Sequence, residues 1–322
     1  MFEKKDNFTV KAIPCAKGLY IDVAGCGLRC ATCPRGGVAG LSNNNKGLMS
    51  FEMFQRIISK FIKEEILLEE LMFGNWGDPL LNPDLARMIG WFRAVEKHVW
   101  PSRRIPIWVS TNLNHLKNPE ELLCSGLDLL NISISGMRHT VYSRNHRGGD
   151  IKLVLRNILK LAKLRSAMGL KRVQLKVLFL EFVYNTEDLR LTRKFCETYG
   201  LDFGTYKGFV MTVEENVRLL NQNDPLTAVY RQFIDLEKDA ALAEMNLSDQ
   251  PCLLRDRYVT INFDGQLYRC CFVFHEKHFL GSFLKFQIKD IPCIKSNICL
   301  ACSGRPRYHS QWPLRSVPVM VS

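Results

Sequence analysis

Residues 24–37 read AGCGLRCATCPRGG and place three cysteines, Cys26, Cys30 and Cys33, within eight consecutive positions. Closely spaced thiolates are typical ligands of iron–sulfur clusters and of zinc. Both kinds of site usually need four ligands, and no His or Cys follows Cys33 closely enough to complete a set. Three cysteines on one loop leave one position of a metal centre open, as catalytic metal sites do. Cys15, upstream of the first predicted strand, remains an alternative fourth ligand.

Outward from this loop the sequence alternates between strand and helix patterns. Strands are predicted at 19–25, 69–74, 105–111, 127–135, 172–183 and 201–210. Helices are predicted between them at 50–65, 82–98, 118–125, 150–169 and 185–200, with Ser50, Asn82 and Asp150 as N-terminal caps. Such alternation is typical of a parallel sheet. Six strand–helix units favour an α/β fold with a partial (β/α)6 barrel of the TIM type over a closed eight-stranded barrel.

In a barrel of this kind, functional groups lie on the loops that follow the strands. Four such loops are expected to meet at one mouth. They are the cysteine loop, GNWGDP at 74–79, STNLN at 110–114 and SGMRHTVYSRNHRGGD at 135–150.

The chain after the barrel pattern changes in character. Residues 1–210 are expected to form the barrel domain, residues 211–250 a helical connector and residues 251–322 a small C-terminal domain. At 256–271, DRYVTINFDGQLYRCC predicts a β-hairpin with Asp264-Gly265 in its turn.

The C-terminal domain carries a second group of cysteines, at positions 252, 270, 271, 293, 299 and 302. In a reducing compartment, two cysteine groups this far apart in the chain indicate two metal centres rather than disulfides. Cys124 and Cys196 lie in predicted helices among apolar residues and are expected in the core.

The pattern Cys26-x3-Cys30-x2-Cys33 after a first strand resembles the signature of the radical S-adenosylmethionine (radical SAM) enzymes. The resemblance implies that the three cysteines hold a [4Fe–4S] cluster whose open iron is chelated by the amino and carboxylate groups of SAM. Two positions depart from the usual pattern: Thr32 replaces an aromatic residue, and Asp78 replaces a longer Glu.

The resemblance also implies a set of SAM contacts on the loops after strands two, three and four. The residues are Gly74, Asn75, Gly77, Asp78, Ser110, Asn112, Ser133, Ser135 and Arg147. Arg147 suits the SAM carboxylate because guanidinium and carboxylate form paired hydrogen bonds. For Ser133 and Ser135 the alternative is an ordinary strand position, and for Arg147 it is a surface ion pair.

The later cysteines resemble the auxiliary-cluster domain of some radical SAM enzymes, in the one-cluster form of the SPASM/twitch type. The resemblance implies a second [4Fe–4S] cluster held by Cys252, Cys270, Cys299 and Cys302. A zinc site is the alternative. Cys271 is interpreted either as core filler or as a hydrogen-atom donor in catalysis, and Cys293 as a substitute ligand.

Net charge and hydropathy limit the classes of partner that the sequence favours. Lys and Arg outnumber Asp and Glu by 44 to 32, a net charge of +12 that favours anionic partners. No aromatic-interleaved RNA motif accompanies the basic residues, which argues against nucleic-acid binding. No apolar run reaches the roughly 18 residues of a membrane span, and the first residues lack a secretory signal, so no membrane partner and a cytoplasmic location are expected.

The sequence therefore predicts a radical SAM enzyme that generates a 5′-deoxyadenosyl radical and removes a hydrogen atom from a substrate C–H bond. The favoured substrate is a carbohydrate, nucleoside or aminocyclitol that is oxidised, dehydrated or epimerised, because we expect no N-terminal module for holding a peptide leader. A ribosomal peptide is the alternative substrate. The alternative of another class is a zinc-stabilised nucleic-acid-binding protein. An electron donor such as flavodoxin or ferredoxin is the expected protein partner.

Overall fold

The computed structural model describes residues 16–36, 47–208, 212–219, 221, 223–236 and 253–294. The strands are β1 (Ala16–Ile21), β2 (Leu67–Phe73), β3 (Ile107–Thr111), β4 (Leu129–Ile134), β5 (Gln174–Glu181), β6 (Asp202–Lys207), β7 (Tyr258–Ile261), β8 (Gln266–Tyr268) and β9 (Gly281–Ser282). The helices are α1 (Phe51–Lys63), α2 (Leu85–Val99), α3 (Pro119–Cys124), α4 (His139–Asn145), α5 (Ile151–Ala167), α6 (Thr186–Tyr199), α7 (Val213–Arg218), α8 (Pro225–Tyr230) and α9 (Leu253–Arg257).

All nine strands lie in one sheet, in the order β6-β5-β4-β3-β2-β1-β7-β8-β9. Strands β1 to β6 pair in parallel with their sequence neighbours, as the alternating pattern predicted. The α/β prediction with a partial barrel is thereby confirmed. Among the described residues the end strands β6 and β9 do not pair with each other, so the barrel is open.

The predicted C-terminal hairpin is present but does not stand apart from the barrel. Strand β7 pairs in parallel with β1, and β8 and β9 follow in antiparallel pairing. Gly265 closes the turn at φ +79°, a conformation that L-residues rarely adopt. Strand β1 is therefore an inner strand, between β2 and β7, and it delivers the chain directly into the cysteine loop.

Local signals explain where three of the described helices begin or end. The Ser50 hydroxyl accepts a hydrogen bond from the Met53 N–H at 3.1 Å, and α1 buries Phe54, Ile57, Ile58 and Phe61 on one face. The Asp150 carboxylate caps α5 through the Lys152 N–H at 2.9 Å. Gly200 ends α6 in the left-handed conformation.

Asn82 caps the turn that leads into α2, because its side-chain oxygen accepts the Asp84 N–H at 2.9 Å. Helix α2 itself begins at Leu85, three residues later, with Asp84 at the N-cap position. The Asn82 side-chain amide also donates to the carbonyls of Val23 at 2.8 Å and Met49 at 2.9 Å. Asn82 is therefore a buried link between the chain entering the cysteine loop and the chain leaving it.

The two faces of the sheet bury different sets of residues. One face packs against the helices and forms the main core, with strand residues such as Ile21, Phe73, Val109 and Phe179. On the other face, alternate strand residues form a second cluster with the chain after β8. That cluster contains Tyr20, Met72, Trp108, Leu129, Val213, Leu254, Tyr258, Cys271, Phe272 and Val273. The chain after β8 thus packs inside the partial barrel.

None of the described helices is both long and apolar enough to cross a lipid bilayer.

Candidate functional site

The three clustered cysteines lie on the loop after β1, and each side chain is half-buried. Burial raises the pKa of the Cys30 thiol, and the neighbouring thiols of Cys33 and Cys26 raise it further, so the three sulfurs lie close to one another. Burial also raises the pKa of Cys33, to about 12. Three neighbouring thiols on one loop are a ligand set that suits an iron–sulfur cluster.

No group of three or more His, Cys, Asp or Glu side chains in the described part of the chain is arranged to hold a metal ion. Cys26, Cys30 and Cys33 would instead each bind a different iron of a shared cluster. Three adjacent, desolvated thiols fit such a cluster.

The cysteine loop is held from one side by the end of α4 and the residues after it. The N–H groups of Arg29 and Ala31 donate to the carbonyls of Arg147 and Asn145, at 2.9 and 2.8 Å. The backbone N–H and the hydroxyl of Thr32 both donate to the Asn145 side-chain oxygen, at 3.2 and 3.0 Å. Thr32, where the family motif usually has an aromatic residue, thus fixes the loop through hydrogen bonds.

From the other side the loop is held by Asp22, which the sequence reading did not identify. Its carboxylate accepts the backbone N–H groups of Asn75, Trp76 and Gly77, at 2.8, 3.0 and 3.0 Å. Burial raises the pKa of Asp22, and the Arg35 guanidinium and the three N–H groups oppose that shift. A charged residue in the apolar run LYIDVAG was the available signal.

The loop after β2 packs against the cysteine loop at backbone distance. The Asp78 N–H donates to the Gly25 carbonyl at 2.8 Å. A Cβ atom on Gly77 would lie 1.8 Å from the Ala24 carbonyl oxygen, so this approach requires glycine. Gly74, at φ +90°, would likewise bring a Cβ within 2.7 Å of the Ser110 carbonyl oxygen.

Asp78 connects the loops after β2 and β3. Its buried carboxylate accepts the Thr111 hydroxyl at 2.8 Å, the Asn112 N–H at 3.2 Å and the Leu80 N–H at 3.1 Å. Burial raises the pKa of Asp78, while these hydrogen bonds lower it. Asp78 therefore orders the backbone around the mouth. The Asn112 side-chain amide lies next to the first cysteine, 3.7 Å from the Cys26 sulfur.

The other residues predicted to contact SAM have different surroundings. Ser110 and Ser133 are half-buried, whereas the Arg147 side chain is exposed. Ser135 is fully buried, and its hydroxyl lies 2.7 Å from Nδ1 of His146. The Asn75 side-chain amide donates to the Cys271 carbonyl at 3.1 Å, which joins the loop after β2 to the chain after β8.

A buried polar network supports the mouth beneath α4, which the sequence reading treated as a loop. The rings of Tyr142 and His146 stack with centroids 4.6 Å apart and planes at 3°. The Tyr142 hydroxyl accepts the Asn114 side-chain amide at 3.0 Å. Asn114 in turn accepts the Asp150 N–H at 2.7 Å and so reaches the start of α5.

Of the later cysteines, the structure describes the surroundings of two. Cys270 is half-buried and packs against the cluster inside the barrel, and Cys271 belongs to that cluster with 2% of its surface exposed. After burial, the largest cause, the Cys271 thiol raises the pKa values of Tyr20 and Tyr206, so it lies near both rings. Cys15, Cys252, Cys299, Cys302 and the side chain of Cys293 lie outside the described residues.

Comparison with known proteins agrees with this geometry. Residues 20–170 match the family model described as the radical SAM superfamily. The chain is 28% identical over 179 residues to a probable GTP 3′,8-cyclase of Methanocaldococcus jannaschii, which covers 54% of this chain. That match spans 53% of the relative, about half its length.

Three solved structures resemble the fold. Native anSMEcpe with bound AdoMet superposes with a TM-score of 0.58 at 15% identity, covering 88% of this chain and 81% of the other. Streptococcus suis SuiB bound to precursor peptide SuiA gives 0.57 at 13% identity, with coverages of 91% and 70%. BtrN in complex with AdoMet and 2-DOIA gives 0.50 at 14% identity, with coverages of 92% and 90%. At these identities the likeness establishes a common fold.

His146 generates a prediction about stability and pH. Burial lowers the pKa of its imidazole from 6.5 to about 4, so the folded protein holds the ring neutral. The stability from this group is complete above pH 6.5 and is lost as the pH falls towards 4, with a slope of up to ~1.4 kcal/mol per pH unit. We expect His146→Gln to weaken the dependence of the unfolding temperature on pH. Thermal unfolding at a series of pH values from about 7 to about 4 measures this dependence.

The matched control is His98→Gln, which changes an exposed histidine near the end of α2. It should retain the wild-type dependence of unfolding temperature on pH. Equal slopes in the wild type and His146→Gln would contradict the assignment.

Proposed function

We propose that the radical SAM domain formed by residues 20–170 binds a [4Fe–4S] cluster through Cys26, Cys30 and Cys33 and cleaves SAM. The observation that carries the proposal is the grouping of three desolvated thiols on the loop after β1, within the span of the family match. When bound and reduced, the cluster would supply one electron that splits SAM into methionine and a 5′-deoxyadenosyl radical.

The residues of this chain would bind and orient SAM. Because the N–H groups of residues 75–77 are directed at Asp22, the loop after β2 is left with carbonyl oxygens to accept the SAM ammonium. We assign the ammonium to the backbone of Gly74, Asn75 and Gly77, which Asp78 keeps in place.

The remaining proposed SAM contacts come from the next two strands. Ser110, Asn112 and Ser133 are assigned to the ribose and the nearby polar groups, and the Arg147 guanidinium to the SAM carboxylate. Ser135 acts through the backbone of the same loop, because its hydroxyl is taken up by His146.

We further propose that residues 251–322 form an auxiliary domain of the SPASM/twitch type, joined to the barrel domain 1–210 by the connector 211–250. Its [4Fe–4S] cluster would be held by Cys252, Cys270, Cys299 and Cys302. The position of Cys270 against the cluster of side chains inside the barrel supports a role next to the substrate. A centre with four cysteine ligands has no open position, so its role would be electron transfer.

For the substrate we favour a small polyhydroxylated molecule, a carbohydrate, nucleoside or aminocyclitol that is oxidised, dehydrated or epimerised. Asn131 alternates along β4 with core residues, so it faces the barrel interior, where it can bind a hydroxyl group. The match to BtrN with 2-DOIA over nine-tenths of both chains, and the sequence relationship to a probable GTP 3′,8-cyclase, support a small molecule.

Modification of a ribosomal peptide is the second candidate. It is favoured by the likeness to SuiB with its precursor peptide and by the net charge of +12, which suits an acidic peptide. The zinc-stabilised nucleic-acid binder is disfavoured by the radical SAM match. Both candidate reactions, on a small molecule or on a peptide, need a one-electron donor of the flavodoxin or ferredoxin class.

The first prediction of this proposal concerns SAM cleavage. Protein reconstituted with iron and sulfide under anaerobic conditions should release 5′-deoxyadenosine from SAM when dithionite is added. Cys26→Ala, Cys30→Ala and Cys33→Ala should each abolish release, because each removes a cluster ligand. Cys124, which the sequence predicted in the core, is instead exposed on α3, so the matched control Cys124→Ala should keep wild-type release. Wild-type release in all three loop variants would rule the site out.

The second prediction concerns the substrate. A candidate sugar, nucleoside or aminocyclitol with deuterium at the reacting carbinol carbon should transfer the label to 5′-deoxyadenosine, because the radical removes that atom. Mass spectrometry of the released 5′-deoxyadenosine measures the transfer. Label appearing only with a peptide deuterated at its α-carbons would favour the second candidate instead.

The third prediction concerns Cys271 as a catalytic hydrogen-atom donor. In an epimerisation, its S–H would give one hydrogen atom to the substrate radical, and the resulting thiyl would take one electron from the electron donor and one proton from solvent. Turnover in D2O should then place deuterium in the product, and Cys271→Ser should stop product formation while 5′-deoxyadenosine is still released.

Cys270→Ala separates this role from that of the proposed auxiliary cluster. It should lower the iron content and the substrate turnover, whereas Cys271→Ser should keep the iron content of the wild type. Undiminished product formation by Cys271→Ser would exclude a donor role and leave Cys271 as core filler.

A further inference from the structure

A small aromatic pocket lies on the Cys33 side of the cysteine loop. Trp76, Tyr268 and Phe274 form a buried cluster, and Cys33 and Phe279 pack against it. The rings of Trp76 and Phe274 meet edge to face with centroids 5.5 Å apart, and those of Tyr268 and Phe279 with centroids 4.4 Å apart. The pocket therefore joins the loop after β2 to the end of β8 at one of the three proposed cluster ligands.

Two hydrogen-bond donors in this pocket lack acceptors. The indole Nε1 of Trp76 and the hydroxyl of Tyr268 are buried, and neither has a hydrogen-bond partner among the residues that the structure describes. Trp76 is 4% exposed and Tyr268 is 1% exposed. Buried donors are nearly always paired in native proteins, so two orphaned donors in a cluster against which Cys33 packs point to an acceptor that the described residues do not provide.

The pocket also contains a cation. The Arg35 side chain donates to the Trp76 carbonyl, and its guanidinium carbon lies 5.6 Å from the centroid of Phe274. Burial raises the pKa of the Tyr268 hydroxyl most, the nearby Asp22 carboxylate raises it further and Arg35 lowers it, so both charges lie close to that ring. Cys33 thus packs against a cluster that holds two donors unpaired among the described residues and has a guanidinium beside it.

We propose that Trp76 Nε1–H and the Tyr268 hydroxyl donate hydrogen bonds to sulfur at the Cys33 corner of the bound cluster and thereby raise its reduction potential. The inference rests on the proposed function of the cysteine loop. Reduction adds one electron and increases the negative charge on the sulfurs, so donors stabilise the reduced state more than the oxidised state. Arg35 acts in the same direction through its charge.

The two donors come from different segments of the chain. Trp76 belongs to the loop proposed to bind SAM, whereas Tyr268 lies two residues before Cys270 in the C-terminal segment. The C-terminal segment would therefore set the potential of the first cluster as well as carry ligands of the second.

The test is a redox titration of the reconstituted protein followed by electron paramagnetic resonance. The first cluster is identified as the signal that changes when SAM is added. Trp76→Phe and Tyr268→Phe each remove one donor and keep an aromatic ring. In each variant we expect the ratio of reduced to oxidised cluster, at a fixed potential near the wild-type midpoint, to fall about tenfold, equivalent to about 59 mV for a one-electron couple.

Matched controls make the same substitutions elsewhere. Trp91→Phe changes a half-buried indole on α2 beside Phe51 and Phe54, and Tyr199→Phe changes an exposed tyrosine at the end of α6. Both should keep the wild-type midpoint. Wild-type protein labelled with ¹⁵N at the indole nitrogens gives a measurement without substitution, because Trp76 should show a ¹⁵N coupling to the reduced cluster.

Three outcomes are decisive. Lower midpoints in both variants, with the ¹⁵N coupling present, establish the proposal. Unchanged midpoints in variants that carry wild-type iron, or the absence of any ¹⁵N coupling, overturn it while leaving SAM cleavage intact. A wild-type protein without a SAM-responsive signal would instead overturn the proposed function, and this proposal with it.

Discussion

The Asp22 carboxylate is the interaction on which the arrangement of the mouth depends. It accepts three consecutive backbone N–H groups of the loop after β2 while lying four residues before the first clustered cysteine. A buried carboxylate is costly unless charges or hydrogen bonds compensate its desolvation, and here the Arg35 guanidinium and the three loop N–H groups both do so. Because each N–H that points at Asp22 turns its peptide plane, the same bonds decide which way the carbonyls of that loop face.

The position of Asp22 on the sheet explains why one residue has this reach. Strand β1 lies between β2 and β7, so the residue that leaves it is flanked by the barrel on one side and by the C-terminal hairpin on the other. The Asp22 N–H donates to the Ile261 carbonyl of β7 at 2.9 Å, while the side chain binds the loop after β2. Backbone and side chain of one residue thus connect both neighbours of the cysteine loop.

Local chemistry made much of the fold predictable, and long-range pairing accounts for what was missed. Ser50, Asp150 and Gly200 act on residues one turn away, so their roles can be read from neighbouring letters. Asn82 accepts the nearby Asp84 N–H as a cap does, but its amide also donates to carbonyls more than 30 residues away, which no local pattern reveals.

The candidate site also contains a part that local sequence patterns predict and a part that depends on long-range pairing. The spacing of Cys26, Cys30 and Cys33 is a local pattern, and their grouping follows from it. Asp22 and Trp76 become parts of the site only when strands distant in sequence pair, so their roles appeared in the structure.

The hydrogen bond from the Asn75 side-chain amide to the Cys271 carbonyl joins the loop after β2 to the C-terminal segment. The loop proposed to bind SAM is hydrogen-bonded to the Asp22 carboxylate at the end of β1. Its own Asp78 carboxylate binds the chain after β3, and its Asn75 amide binds Cys271. Any displacement of the C-terminal segment therefore acts on the loop after β2 and, through Trp76, on the surroundings of Cys33. The SAM contacts proposed for this loop would therefore depend on how the barrel interior is packed as well as on the sequence of the loop itself.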